Sequence, residues 1–255
     1  MAISKIGRNA TDTGITDNSD ATAITIDSSE NVGIKTTTPT NYYADDLVVT
    51  APDEGGITVV GGTTERNYLA FADGTSGDAR YRGLISYDHN TDKLGIGAGG
   101  GTKIELDGNG IMTNATQPAS IAYSNANNTQ AFSSADTYEI VTFNTETIDK
   151  NADYSPNTFS APVDGTYYVN ANVLRTASSS GSITYDLAVY VNSSLTLYSR
   201  HHGDNSGSNT STQNVTGLVD LDASDTVQVY ARVSDTKGQR YQSQTTTYFH
   251  VFLLA

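Results

Sequence analysis

Runs with an apolar residue at every second position, each cut short by glycine, asparagine or aspartate, recur along this chain and restrict it to a β architecture. Ala23-Ile24-Thr25-Ile26-Asp27 alternates in this way, and Asn31-Val32-Gly33-Ile34 follows a polar turn. Leu47-Val48-Val49, Ile57-Thr58-Val59-Val60 and Tyr68-Leu69-Ala70-Phe71 continue the pattern. Period-two alternation bounded by turn residues puts apolar side chains on one face of a strand. Runs this short do not close a stable sheet from one chain, so stacking or intertwining of identical chains is expected. Hydrophobic residues make up only 36% of the chain and charged residues 16%, with Thr, Ser, Asn and Gly supplying the difference. Side chains of this kind compete for backbone hydrogen bonds and are poor helix formers. A core this thin favours burial between subunits.

A loose internal echo supports a repetitive N-terminal region. Ile24-Thr25-Ile26-Asp27 followed by Asn31-Val32-Gly33-Ile34 is repeated as Ile104-Glu105-Leu106-Asp107 followed by Asn109-Gly110-Ile111. Lys93-Leu94-Gly95-Ile96-Gly97 is a third, weaker copy, and the irregular spacing is not that of a strict solenoid. The glycine run at Ala98-Gly99-Gly100-Gly101 is expected to be a hairpin tip or a joint. The apolar pattern lapses at Thr113-Asn114-Ala115-Thr116-Gln117-Pro118, which sets a domain boundary near residue 115. Beyond it longer strands are expected at Tyr138 to Asn144, Gly165 to Leu174, Ile183 to Val191, Thr226 to Val233 and Thr245 to Leu254. Ser178-Ser179-Ser180-Gly181 and Gly203 to Thr212 read as exposed loops.

Charge and composition exclude several functions. A formal net charge of −14, with lysine and arginine scattered, repels nucleic acid. There is no cysteine, so disulfides and thiolate metal sites are excluded. No stretch approaches the roughly 20 apolar residues of a membrane-spanning helix, so membrane insertion is not expected. The N-terminal Met1-Ala2-Ile3-Ser4-Lys5-Ile6-Gly7-Arg8 lacks the apolar run of a secretion signal. A particle component released by lysis would reconcile that with an extracellular role.

The order of aromatic residues in the C-terminal half carries a resemblance. Phe143, Asp149, Tyr154, Phe159, Gly165 and Tyr167 occur in series, and Phe159-Ser160-Ala161-Pro162-Val163-Asp164-Gly165-Thr166-Tyr167-Tyr168 forms a strand-turn-strand phrase. Leu221-Asp222-Ala223-Ser224-Asp225-Thr226-Val227-Gln228-Val229 and the closing Phe249-His250-Val251-Phe252-Leu253-Leu254 complete the pattern. It resembles the C1q/tumour-necrosis-factor head. That resemblance implies an antiparallel jelly-roll sandwich that trimerises, with Phe143, Tyr154, Phe159, Tyr167 and Phe252 filling its core. Val169 and Ala171 stand where that pattern has aromatics, and Val251 where it commonly has glycine. The N-terminal half is similar to phage tail-fibre and appendage sequences, in Asn31-Val32-Gly33-Ile34-Lys35-Thr36-Thr37-Thr38-Pro39. The longer phrase from Leu69-Ala70-Phe71-Ala72-Asp73-Gly74 through Tyr81-Arg82-Gly83 to Tyr87-Asp88-His89 carries the same likeness.

Residue chemistry points to binding. The His201-His202 pair could hold a metal at a trimer axis, but adjacent strand residues point opposite ways, so a solvated loop is the reading adopted. Asp220, Asp222 and Asp225 form one acidic cluster and Asp45, Asp46 and Asp53 another. Either could contribute oxygens to a calcium ion, against a default of turn-forming, solubilising aspartate and no cofactor. The four histidines, His89, His201, His202 and His250, leave few nucleophile–base arrangements, and no catalytic constellation is visible. Sugar recognition uses aromatic faces, and the 16 tyrosines include Tyr123, Tyr138, Tyr198 and Tyr241 in or beside expected loops. The expected receptor-contact segment is Tyr198-Ser199-Arg200-His201-His202-Gly203-Asp204.

Together these readings give an all-β homotrimer: a virion-attachment segment at 1–22, a β-rich shaft or shoulder at 23–115, and a C1q-like jelly-roll head at 116–255. The expected function is a non-enzymatic virion fibre. Its N-terminus would dock to other virion proteins, and its head would bind a host cell-surface glycan or protein through multivalent contact. The alternatives are a capsid-attached fibre with no receptor role, a secreted C1q-like ligand, and a polysaccharide depolymerase using paired carboxylates.

Overall fold

The computed structural model describes residues 23–125, 130–177, 181–205, 209–235, 240–242 and 246–255. The described residues contain no α-helix, only strands and three short 3-10 turns at Pro39–Asn41, Gly77–Tyr81 and Lys150–Ala152. The chain divides into two compact units, Met1–Leu69 with Ser86–Asp92, and Ala70–Ile85 with Lys93–Ala255.

The N-terminal strands are short because turn residues interrupt every apolar run. Strands β1 (Ile24–Ile26), β2 (Val32–Ile34) and β3 (Leu47–Val49) form a three-stranded sheet, antiparallel between β1 and β2 and parallel between β2 and β3. Strands β4 (Arg66–Phe71), β5 (Gly83–Asp88), β6 (Lys93–Ala98), β7 (Gly101–Asp107) and β8 (Met112–Asn114) form a five-stranded sheet in that order. The internal echo has a physical basis in its turns. Asp27 Oδ1 accepts from the amides of Ser29 at 2.8 Å and Asn31 at 3.0 Å, and Asp107 Oδ1 accepts from Asn109 and Ile111, both at 2.9 Å. A strand-ending aspartate thus closes both hairpins by the same side-chain turn. In the third copy Lys93–Gly97 lies in β6, and in the turn before it Asp88 Oδ1 accepts from the amides of Asn90 and Thr91. Gly99 and Gly100, with φ of 61° and 79°, form the two-residue tip between β6 and β7, a turn that needs left-handed backbone at both positions. The run Ile57–Val60, expected as a strand, is not one. Its residues have no ladder partner, and Val59 instead accepts a side-chain hydrogen bond from Asn67 Nδ2 at 2.6 Å.

The C-terminal region is a sandwich of two mainly antiparallel sheets. Its strands are β9 (Ala119–Tyr123), β10 (Gln130–Ala131), β11 (Glu139–Ile140), β12 (Thr145–Asp149), β13 (Tyr154–Ser155), β14 (Thr158–Ser160), β15 (Gly165–Ala177), β16 (Gly181–Val191), β17 (Ser194–Asn205), β18 (Asn209–Leu221), β19 (Thr226–Val233), β20 (Arg240–Gln242) and β21 (Tyr248–Leu253). One sheet runs β10-β20-β15-β21-β9-β12 with β18 also on β15; the other runs β13-β14-β19-β16-β17 with β11 on β19. Gly203 to Thr212 is not a loop: β17 and β18 occupy it up to and from residues 206–208, which lie outside the described residues, as do 178–180. Long polar strands with solvent on one face carry Ser, Thr, Asn and His outward, which imitates a loop composition. The strand expected from Tyr138 to Asn144 shrinks to β11, because only Glu139 and Ile140 find ladder partners on β19.

The two sheets meet through alternate residues. Val227, Val229, Ala231 and Val233 on β19 face Tyr167, Val169, Ala171 and Val173 on β15, all at most 4% exposed. Phe159 packs edge-on against Tyr167 at 5.7 Å, and Phe249 lies 5.7 Å from Phe143 and 6.3 Å from Tyr154. Tyr167 Oη donates to Val163 C=O at 2.8 Å, which ties the Pro162 turn to the strand it starts. This head therefore builds its core within one chain, more fully than its composition indicated. A Cβ on Gly165 would lie 2.5 Å from Ala255 O and 2.7 Å from Leu253 Cδ1, whereas one on Gly101 meets nothing within 4 Å. Gly165→Ala is expected to cost about 1–3 kcal/mol in urea unfolding, the usual penalty for overpacking, with Gly101→Ala near wild type. Equal midpoints for the two variants would contradict the packing described.

Candidate functional site: an uncharged sheet face and a buried carboxylate

Strand alternation gives the first sheet a second face, turned away from the sandwich core. On β21, Phe249 and Val251 point inward at 0% exposure, so Tyr248, His250 and Phe252 point outward, and all three are half-buried. Phe252, expected in the core, therefore lies on the outer face, one residue out of phase with the inward positions. Three cross-strand rows cover this face. Phe252 sits between Ala119 and Tyr168, His250 between Ile121 and Asn170, and Tyr248 between Tyr123 and Asn172. On the far side of β15, β18 adds Leu218 beside Tyr168 and Thr216 beside Asn170. None of these residues is charged in a chain that holds 28 acidic and 14 basic side chains. The Tyr248 and His250 rings stack at 4.3 Å, and Phe252 meets His250 edge-on at 6.2 Å. Burial holds the His250 imidazole below its ordinary pKa. Asn214 Nδ2 donates to Asn170 Oδ1 at 2.7 Å, so the polar margin is already internally bonded.

The expected contact segment lies on β17, a strand rather than a loop, because it pairs along its length with β16. Tyr198 is 57% exposed. Arg200 is engaged: its Nε and Nη2 donate to Asp186 Oδ1 and Oδ2 at 2.7 and 2.9 Å. His201 lies beside the Tyr185 ring at 6.4 Å, while His202 bonds the hydroxyls of Ser182 at 3.0 Å and Thr184 at 3.1 Å. The two imidazoles thus have separate partners. The side chains of Asp204 and Tyr241 lie outside the described residues. Tyr123 lies on the outer sheet face, and Tyr138 Oη donates to Asp186 Oδ2 at 3.2 Å.

Asp186 was missed by sequence reasoning. Its side chain is 0% exposed, and besides Arg200 and Tyr138 it accepts from Arg232 Nη1 at 2.7 Å. Burial pushes its carboxyl pKa up, and the Arg200 and Arg232 hydrogen bonds and charges more than reverse that, leaving it below the ordinary value. Burial and the Asp186 charge push Tyr138 up to about 12. The signal was present as an acid between Tyr185 and Leu187 in β16, where it breaks an apolar run, whereas Arg232 stands at an ordinary outward position of the alternating strand β19. Among the described residues no group of three or more His, Asp or Glu side chains is placed to hold a metal. In the acidic turn, Asp225 Oδ1 accepts from Asn192 Nδ2 and Oδ2 from the Asp222 amide.

A C1q domain family model matches residues 122–254. The chain belongs to the C1q domain family. The two-sheet antiparallel sandwich is the C1q jelly roll, with β14 and β15 flanking the Pro162 turn and β21 ending the head. C1q domains are in general non-enzymatic modules that bind ligands and typically form trimers. A comparison with curated proteins finds no match.

Proposed function

We propose that this C1q-domain chain is a homotrimeric fibre component of a phage virion, whose head binds a receptor on the host surface. In this reading residues 1–22 dock to other virion proteins, 23–115 form the shaft or shoulder, and 116–255 form the head. The uncharged face of Tyr248, His250 and Phe252 carries the trimer reading. Half-buried aromatics flanked by Ile121, Tyr123 and Tyr168 offer apolar area that a second and third copy would cover. Large apolar side chains are also exposed along the N-terminal region, including Ile26 at 70%, Ile57 at 73%, Val60 at 86% and Met112 at 72%. Threefold association supplies those residues with partners. The likeness of Asn31–Pro39 and Leu69–His89 to fibre sequences supports the virion assignment. Three weak head sites on one stalk gain avidity from effective concentration.

Native mass spectrometry of the full chain is expected to give three copies. Phe252→Asp, which places a charge at the centre of the apolar face, is expected to shift that mass to one copy while the circular dichroism of a β protein is retained. A single-copy mass for the wild-type chain ends the fibre reading. For the receptor role, purified trimer is expected to label host cells and to compete with the parent particle. Labelling equal to that of an unrelated trimer of the same net charge would sink it.

A further inference from the structure

In Tyr248-Phe249-His250-Val251-Phe252 the alternation sends His250 outward, midway along the aromatic row of β21. Ladder pairing fixes its flanks, Ile121 on β9 to one side and Asn170 on β15 to the other. The Tyr248 ring stacks on the imidazole at 4.3 Å, and Phe252 meets it edge-on at 6.2 Å. The titratable side chains around it on these three strands are the phenols of Tyr123, Tyr168 and Tyr248; no carboxylate, lysine or arginine faces it from them. Arg175 of β15 points the other way, onto the Tyr185 ring. Carboxylates enter this sheet only two strands from His250. They are Glu146 and Asp149 on β12, paired with Ala122 and Ser120, and Asp220 on β18, paired with Thr166.

A neutral imidazole suits this setting and an imidazolium does not. Burial alone lowers the His250 pKa, with no neighbouring charge or hydrogen bond opposing it. In the single chain the ring is half-buried, so water on its open side still hydrates a proton there. Threefold association closes that side against neighbouring copies of the same uncharged face, and the cost of a desolvated charge rises. The Tyr248 ring attracts a cation equally in the single chain and in the assembly, so the stack does not offset that cost.

We propose that His250 makes the trimer acid-labile, protonation of its imidazole in each copy releasing the copies from one another in mildly acidic solution. The device rests on the trimer reading of the same face and gives that face its control. The separated chain binds the proton more tightly than the trimer does, so each copy takes one up on release. Trimer stability from this group is full above the separated chain's histidine pKa, which lies below 6.5, and falls as the pH drops through it. The limiting rise in the dissociation constant is about tenfold per copy for each pH unit, or about a thousandfold for three copies.

Sedimentation equilibrium of the full chain from about pH 7.5 to about pH 5, above the ordinary carboxylate range, reads that constant. Three copies are expected at the upper end, and a dissociation constant higher by at least about tenfold at the lower, with the circular dichroism unchanged. His250→Phe keeps a ring in the row and cannot take the proton; it is expected to stay trimeric throughout. The double variant His201→Asn with His202→Asn, on β17, is expected to keep the wild-type response. A wild-type trimer whose constant does not move with pH overturns the proposal and leaves the fibre reading standing. A single copy already at the upper end ends both. The same rise in His250→Phe assigns the acid response to another group and overturns the proposal. Should His250→Phe fail to assemble, the wild-type His250 ring decides, its protonation followed by nuclear magnetic resonance over the same range. A ring that stays neutral while the copies separate overturns it.

Discussion

Asp186→Asn is expected to destabilise the head by about 3 kcal/mol in urea unfolding, with the slope of the transition unchanged. The carboxylate is fully buried and takes four hydrogen bonds, from two atoms of Arg200, from Arg232 and from Tyr138. An amide keeps one acceptor oxygen, turns the other site into a donor, and leaves two guanidiniums without their anion. Removing one partner of a buried ion pair costs about 3–5 kcal/mol because the remaining charge is stranded. The lower end applies here, since the Arg200 side chain is 54% exposed and can rehydrate. Arg232, at 21% exposed, retains a second bond to Asp136 and cannot escape as easily. The pH dependence follows from the direction of the shift. The folded carboxyl titrates below its unfolded value, so its stabilisation is complete above about pH 4 and is lost as the pH falls through the lower folded value. The gap between wild type and Asp186→Asn should therefore stay level from neutral pH down to about 4 and close below it. A gap under about 1 kcal/mol at neutral pH would mean that water and Asp136 already satisfy both arginines.

Phe159→Ala is expected to cost about 3–5 kcal/mol, the range for deleting a buried aromatic and leaving its cavity. Phe159 is 0% exposed, pairs with Val227 across the β14–β19 ladder, and meets Tyr167 edge-on. It lies where β14 enters the Pro162 turn, and that turn is clamped from the other side. The Ala161 amide donates to Asp225 C=O at 2.8 Å, and the Ala223 amide donates to Asp164 Oδ1 at 2.7 Å. With the backbone held at both ends, the site cannot collapse onto the missing ring, which favours the upper part of the range. Phe159→Leu keeps most of the volume and is expected to cost clearly less. Calorimetry or denaturant unfolding of the three proteins checks the order; equal losses for Ala and Leu would show that ring shape rather than volume is what the core requires.

How far the fold could be read in advance varied along the chain for physical reasons. Thr226–Val233 alternates without a break, and the strand spans those residues because one side is core and the other is not. The Phe159–Tyr168 phrase was legible because a proline, a glycine and flanking aromatics each have few alternative uses. Strands β17 and β18 were not legible, since their outward residues are Ser, Thr, Asn and His and their inward apolar positions are sparse. Ile57–Val60 has the pattern of a strand and lacks a partner, which no local pattern reveals. Phe252 was placed in the core by the resemblance to the C1q head, whereas phase relative to Phe249 and Val251 decides the face.

Sequence alone determined the all-β class and the absence of thiol chemistry, because alternation, turn residues and composition are local properties, and its resemblance to the C1q head implied the jelly roll. The tertiary structure alone decided which polar residues are buried and what they meet. Asp186, Arg200, Arg232 and Tyr138 come from four separate segments, and Arg175 meets the Tyr185 ring only when β15 lies against β16. Charge pairing depends on distance through space, and the register of the two sheets sets that distance.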